Sequence, residues 1–73
     1  MTKLPSISGK KCVTTLEKAG FETKRQRGSH VVLRRANPFA QVVVPLHDEL
    51  DRGTLRAILR QCGLDVEEFV KLL

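Results

Sequence analysis

The chain has 73 residues, which is enough for one small domain with a thin core and excludes a nucleotide-binding fold joined to a separate substrate domain. The formal net charge of +5 is unevenly distributed. Residues 1–35 carry nine Lys or Arg against two Glu, whereas residues 36–73 carry four basic against six acidic residues. A one-sided positive field attracts polyanions, so the charge favours a nucleic-acid partner over the alternative of a merely solubilising surface.

The first half of the chain predicts a helix followed by a strand. After an extended arm over residues 1–7, Ser8 is a suitable N-cap for a helix that ends at Gly20. Phe21 to Arg27 then alternates as a strand. The apolar positions that recur at helical spacing are Cys12, Val13, Leu16 and Ala19.

Two further strands complete a three-stranded antiparallel meander. Gly28-Ser29 predicts a tight turn into a strand over residues 30–35, with Val31 and Leu33 on one face and His30, Val32 and Arg34 on the other. The segment 36–39 interrupts this strand. A third strand over residues 41–44 ends at Pro45.

The C-terminal part predicts two helices on a common core. An i, i+3, i+4, i+7 stripe indicates the first, and Gly63 ends it. Asp65 and Glu68 have the spacing of a capping box for the second. The prediction is therefore an α+β two-layer sandwich in a single domain over residues 1–73, ordered helix, three-stranded antiparallel sheet, helix, helix. The stripe is Leu55, Ile58, Leu59 and Cys62, the last helix runs through Val66, Phe69, Val70 and Leu73, and core positions are expected for Phe21, Phe39 and Phe69.

The cysteines and the hydropathy pattern exclude other classes of protein. Cys12 and Cys62 lie in no CxxC motif and near no histidine at ligand spacing, so neither a metal site nor a disulfide framework is predicted. Both fall on apolar stripes, where a free cysteine behaves as a small hydrophobe. No secretory signal pattern and no long apolar run is present, so we expect a cytoplasmic protein that does not span a membrane.

His30 is the first candidate for chemistry, because no Ser–His–acid set and no paired carboxylates can be picked out. A histidine that takes the 2′-hydroxyl proton of RNA, beside cations that neutralise the phosphorane, suffices for strand cleavage without a metal ion. On position and charge alone, a plain polar residue beside a turn is the simpler interpretation. The predicted phosphate-binding residues of the hairpin are Lys24, Arg25, Arg27, Arg34 and Arg35.

Two features outside the hairpin have both a functional and a plain interpretation. His47 is the reserve candidate for a second proton transfer, although a capping or exposed position is simpler. Arg52, Arg56 and Arg60 recur every four residues and line one side of the second helix. They form either a solvated face or an outer contact with double-stranded RNA. The absence of Tyr and Trp argues against the stacking surface of RRM or OB modules.

Two parts of the sequence resemble the signatures of the HicA toxin family. The first part is Leu16–Phe21 (LEKAGF) followed by Arg25–His30 (RQRGSH). The second part is Val43–His47 (VVPLH) followed by Gly53–Arg56 (GTLR) and the pair Ile58-Leu59. Together they span nearly the whole chain in the order of the family. The segment 36–40, which contains Asn-Pro-Phe, matches no signature of the family.

The resemblance implies a fold like that of double-stranded-RNA-binding domains and a toxin that cleaves messenger RNA without metal or cofactor and so inhibits translation. The histidine of the Gly-Ser-His motif, which the family needs for toxicity, corresponds to His30, with Gly28 and Ser29 positioning the turn. A HicB-type antitoxin is the expected protein partner.

Two alternatives to the endoribonuclease remain at this point. A non-catalytic RNA-binding module of the same fold would tolerate His30→Ala. A protein-interaction module with an acidic partner would show no salt-sensitive binding of RNA.

Overall fold

A computed structural model describes residues 3–73. Met1 and Thr2, which belong to the arm predicted over residues 1–7, lie outside the described residues. The order of elements confirms the prediction of one helix, three strands and two helices. The elements are α1 (Gly9–Lys18), β1 (Glu22–Arg27), β2 (His30–Ala36), β3 (Phe39–Pro45), α2 (Arg52–Cys62) and α3 (Val66–Lys71).

The sheet is the predicted antiparallel meander, with β2 in the centre and β1 and β3 at its edges. Both connections are two-residue turns. Arg27 pairs with His30 around the first turn, and Ala36 pairs with Phe39 around the second, which is formed by Asn37-Pro38. The third strand therefore begins at Phe39, two residues earlier than the sequence predicted.

Helices cover one face of the sheet and leave the other to solvent. The covered face carries the buried residues Val31 and Leu33 of β2 and Val42 and Val44 of β3, which join side chains of α1 and α2 in one core. This arrangement is the predicted two-layer α+β sandwich, and it is consistent with a fold like that of double-stranded-RNA-binding domains. We call the uncovered surface the open face; its strand positions, assigned by register and alternation, are Glu22, Arg25, Arg27, His30, Val32, Arg34, Ala36, Phe39, Gln41, Val43 and Pro45.

Strand β1 contains a bulge that the sequence did not predict. The register shifts between Thr23, which pairs with Leu33, and Arg25, which pairs with Val32. Lys24 is the extra residue. All six residues of β1 are exposed, because the strand lies at an edge that the helices cover only partly. The bulge changes which residues share a face, since side chains alternate strictly only along an unbroken ladder.

The aromatic residues do not all lie where the sequence placed them. Phe21 and Phe69 are buried in the core, as predicted. The prediction for Phe39 was wrong, since its side chain is 70 % exposed. Ala40, Val42 and Val44 face the core, and alternation along β3 therefore directs Phe39 to the open face.

The two cysteines are buried free thiols, as predicted. Burial is the main reason that the pKa of the Cys12 thiol is raised to about 12, and the nearby Cys62 adds to the effect. Burial likewise raises the pKa of Cys62 to about 11, although Arg35 acts in the opposite direction. Both side chains are neutral and unreactive at ordinary pH, and they serve as packing.

Side-chain caps fix the starts of the three helices. Ser8 accepts a hydrogen bond from the backbone of Lys11, and Asp65 and Glu68 form both bonds of the predicted capping box. Asp51 caps α2, where hydrogen bonds from the side chain and backbone of Thr54 lower the pKa of its carboxyl group. His47 is therefore not the cap of this helix. None of the helices within residues 3–73 has the length and apolar sequence needed to cross a membrane.

The connection from β3 to α2 ties three parts of the chain together. The backbone N–H of Leu46 donates to the carbonyl of Ser29 at 2.6 Å. The carbonyl of His47 accepts from Gly9 at 2.9 Å, at the start of α1. The approach is so close that a Cβ atom on Gly9 would overlap the carbonyl oxygen of Pro45.

Replacing Gly9 with alanine is expected to lower the free energy of unfolding by about 1–3 kcal/mol, because the added methyl group forces α1 away from Pro45. Urea unfolding measures the change. Gly53→Ala is the matched control, because a Cβ at that position of α2 meets only one side-chain oxygen, at 3.8 Å. The control should be neutral or stabilising by up to about 1 kcal/mol. Equal effects of the two substitutions would contradict the close approach.

Candidate functional site

His30 lies at one end of the open face, between the two edge strands. It is the first residue of β2, is exposed, and pairs with Arg27 of β1 and Pro45 of β3. The two-residue turn before it uses Gly28 at φ 55°, a left-handed conformation that glycine adopts without strain. The Gln26 side chain donates to the carbonyl of Gly28 at 3.2 Å, and Ser29 accepts from Leu46. The position of His30 is thus held from both sides.

Two arginines of β1 share the open face with His30. Arg27 is directly opposite His30, and side chains paired in this way have Cβ atoms about 4.5–5.5 Å apart. Arg25 pairs with Val32 and is a diagonal neighbour of His30. Both arginines are exposed. Their guanidinium groups can therefore reach a phosphate that lies over the imidazole.

Arg34 continues the basic surface along β2 and is oriented by a neighbour on β3. Its Nε donates to Oε1 of Gln41 at 2.9 Å, across a directly paired position of the two strands. This bond fixes the plane of the guanidinium group and leaves the two terminal nitrogens for an anion. Gln41 is a functional candidate that the sequence analysis missed. A two-residue turn at Asn37-Pro38 would have revealed its pairing with Arg34.

Lys24 adds a cation at the bulge, although its ammonium group already has a partner. Nζ of Lys24 lies 2.8 Å from Oε1 of Glu22. The hydrogen bond and charge of Lys24 lower the pKa of the Glu22 carboxyl group. Both side chains are well exposed, and ion pairs in such positions are weak. Lys24 can therefore exchange this carboxylate for a phosphate at little cost.

Arg35 is not brought together with His30, although the sequence grouped them. It lies on the covered side of the sheet, where Nε donates to the carbonyl of Pro38 at 3.0 Å and one terminal nitrogen donates to that of Cys62 at 3.0 Å. Its guanidinium carbon is 4.7 Å from the centre of the Phe21 ring. These contacts join β2, the β2–β3 turn and the end of α2, so they give Arg35 a structural role.

The arginines of α2 are also separated from His30. Arg52, Arg56 and Arg60 are exposed on the side of α2 that faces away from the sheet, since Leu55 and Ile58 on the opposite side are buried in the core. The stripe therefore belongs to the helical layer, and His30 belongs to the opposite surface of the sandwich.

His47 lies at the same end of the sheet as His30 but on the other side. It lines a groove of about 670 Å³ between α1 and β1, together with Gln26 and Val31 of the covered face and Lys10 of α1. The sheet thus separates the two histidines. Among residues 3–73, no three His, Cys, Asp or Glu side chains are grouped closely enough to hold a metal ion.

The fold and the site define a small two-layer α+β domain that presents one histidine among cations on its open face. Comparison with models of known protein families then identifies the family to which this domain belongs. The family model described as "HicA toxin of bacterial toxin-antitoxin" matches residues 9–64, which include every element from α1 to α2. The chain belongs to the HicA toxin family. It is therefore the toxin of a toxin–antitoxin pair, and its partner is an antitoxin. No curated protein matched the sequence in the comparison.

The adjacent residues Arg34 and Arg35 lie on opposite faces of the sheet, and substitution of each tests whether only Arg35 has a structural role. Arg35→Ala is expected to lower the free energy of unfolding by about 2 kcal/mol, because it removes two charge-assisted hydrogen bonds to backbone carbonyls. Arg34→Ala should change stability by less than about 0.5 kcal/mol, since its side chain is exposed. Urea unfolding of the two variants measures both effects. A larger loss of stability for Arg34→Ala than for Arg35→Ala would contradict the assignment of Arg35 to a structural role.

Proposed function

We propose that the chain acts as an endoribonuclease that cleaves messenger RNA on its open face, with His30 as the catalytic residue. The observation that carries the proposal is the direct pairing of His30 with Arg27 on an exposed surface. Membership of the HicA toxin family supports a toxic activity. We propose that the whole chain, residues 1–73, acts as one toxin domain.

The chemistry needs one proton-transfer group and cations, because RNA supplies the nucleophile. His30 takes the proton from a 2′-hydroxyl group, whose oxygen forms a bond to the adjacent phosphorus. The bond from phosphorus to the 5′-oxygen breaks, and that oxygen takes a proton from water or from the imidazolium. The products are a 2′,3′-cyclic phosphate and a 5′-hydroxyl group. Proton transfer of this kind contributes about 10²–10⁴-fold to a rate.

The cations of the open face stabilise the negative charge that grows on the phosphate. We assign the scissile phosphate to Arg27, since this residue lies opposite His30. Neighbouring phosphates are assigned to Arg25 and Arg34, and Lys24 lies at the margin of the proposed site. Guanidinium groups suit this task because they donate two parallel hydrogen bonds to an anion. The proposed site leaves out Arg35, which the sequence analysis had included as a phosphate binder, and the stripe on α2, which it had considered as an outer contact with RNA.

The antitoxin is proposed to be of the HicB type and to cover the open face with an acidic surface. Four cations and a single carboxylate, that of Glu22, lie on or beside this face in the described chain. A complementary partner would therefore be acidic and would compete with RNA.

His30→Ala is expected to abolish growth arrest on induced expression and to lower the cleavage rate of the purified protein at least about 100-fold. His47→Ala is the matched control, since this histidine is also exposed but lines the groove on the other side of the sheet. Cleavage by the wild type should persist in EDTA and leave 2′,3′-cyclic phosphate ends.

Circular dichroism and thermal melting establish that both variants fold. If folded His30→Ala protein still cleaves RNA as the wild type does, the catalytic assignment is wrong. If His47→Ala alone abolishes cleavage, the active site lies in the groove between α1 and β1.

A further inference from the structure

Phe39 is a large aromatic side chain left exposed at a position that the proposed function does not use. It lies on the open face, at the start of β3, and is 70 % exposed. It pairs with Ala36, whose small side chain does not cover the ring. Exposure of a phenylalanine is unfavourable in water, and the chain places this one on the same surface as the proposed catalytic histidine.

The register orders the open face into rows that run across the strands. His30 and Arg27 form the first row, and Val32 follows with Arg25 on one side and, on the other, Val43, which is 46 % exposed. The third row is the bonded pair of Arg34 and Gln41, with Glu22 paired to Arg34 on β1, and the last is Phe39 with Ala36. Lys24 at the bulge is the remaining cation beside this face.

The length of this surface matches an extended nucleic-acid strand. Ala36 lies six positions beyond His30 along β2, which corresponds to about 20 Å at the usual rise of a strand. A chain of several nucleotides can span this distance. Its phosphates would meet the arginines, and its bases would meet the exposed apolar side chains Val43 and Phe39.

The charge of the surface selects RNA over a hydrophobic protein segment. Phe39 and Val43 are the two most exposed large hydrophobic residues of the described chain, and the four cations on or beside the open face outnumber the single carboxylate of Glu22. Exposed apolar side chains within a positive field suit a ligand that has flat apolar rings on an anionic backbone. The rings must be unpaired, because the faces of bases in a duplex are stacked on one another.

We propose that Phe39 stacks on an unpaired base several nucleotides away from the scissile phosphate at His30. The substrate is then single-stranded over the length of the open face, with Arg34 holding an intervening phosphate. This inference rests on the proposed function and adds the substrate class and a second subsite. It also replaces the contact with double-stranded RNA that the stripe on α2 had suggested.

The test measures binding of a short fluorescein-labelled single-stranded RNA of mixed sequence by fluorescence anisotropy, in a His30→Ala background that prevents cleavage. Phe39→Ala is expected to weaken binding about tenfold. The Phe39→Trp variant is expected to bind at least as tightly as the protein that retains Phe39. Phe39→Leu should resemble Phe39→Ala, because leucine is apolar but cannot stack. Leu73→Ala is the control for loss of an exposed apolar side chain elsewhere. The affinity for the same RNA annealed to its complement should not change when Phe39 is substituted.

The outcomes separate this inference from the proposed function. If Arg27→Ala and Arg34→Ala weaken binding of the single strand but Phe39→Ala does not, the open face binds RNA and the stacking proposal is wrong. Equal binding by the Phe39→Leu variant and the Phe39 protein would also refute stacking. If Phe39→Ala weakens binding of the antitoxin alone, the ring belongs to a protein interface. If none of the open-face variants changes binding of RNA, the proposed function fails as well.

Discussion

The backbone hydrogen bond from Leu46 to Ser29 is the contact on which the geometry around His30 depends. It joins the end of β3 to the turn between β1 and β2, so the tip of the hairpin does not move independently of the rest of the sheet. The same connection contacts the start of α1, where Gly9 donates to His47 and leaves no room for a side chain beside Pro45. A small domain has few buried contacts with which to fix an active site, and this chain concentrates several of them at one corner.

Strand alternation then divides the basic residues between two tasks. Arg34 and Arg35 are neighbours in the sequence, yet one is held by Gln41 on the open face and the other bonds to the end of α2. The covered side uses a cation for structure, because Arg35 satisfies backbone carbonyls and lies over Phe21. The cations of the open face stay exposed, and we propose that they bind RNA. Four of the nine cations in residues 1–35 therefore lie on or beside the open face, namely Lys24, Arg25, Arg27 and Arg34.

Much of this arrangement could be predicted from local signals. Ser8 and Asp65 have the side chains that cap helices, and Gly28-Ser29 defines the first turn, so the element order and the position of His30 followed. The bulge at Lys24 could not be predicted, because it depends on how β1 meets its neighbour and leaves no mark in composition. The exposure of Phe39 was missed because the turn at Asn37-Pro38 was drawn too long, and a short error in register moves a side chain to the other face.

We propose that RNA binds on the open face of the sheet and not on the helical layer. The most direct test is NMR of the His30→Ala protein, in which the side-chain Nε–H signals of the arginines are followed as single-stranded RNA is added. The signals of Arg25, Arg27 and Arg34 are expected to shift, and their shifts should diminish as the salt concentration is raised. Shifts concentrated at Arg52, Arg56 and Arg60, with those of the open face unchanged, would contradict it.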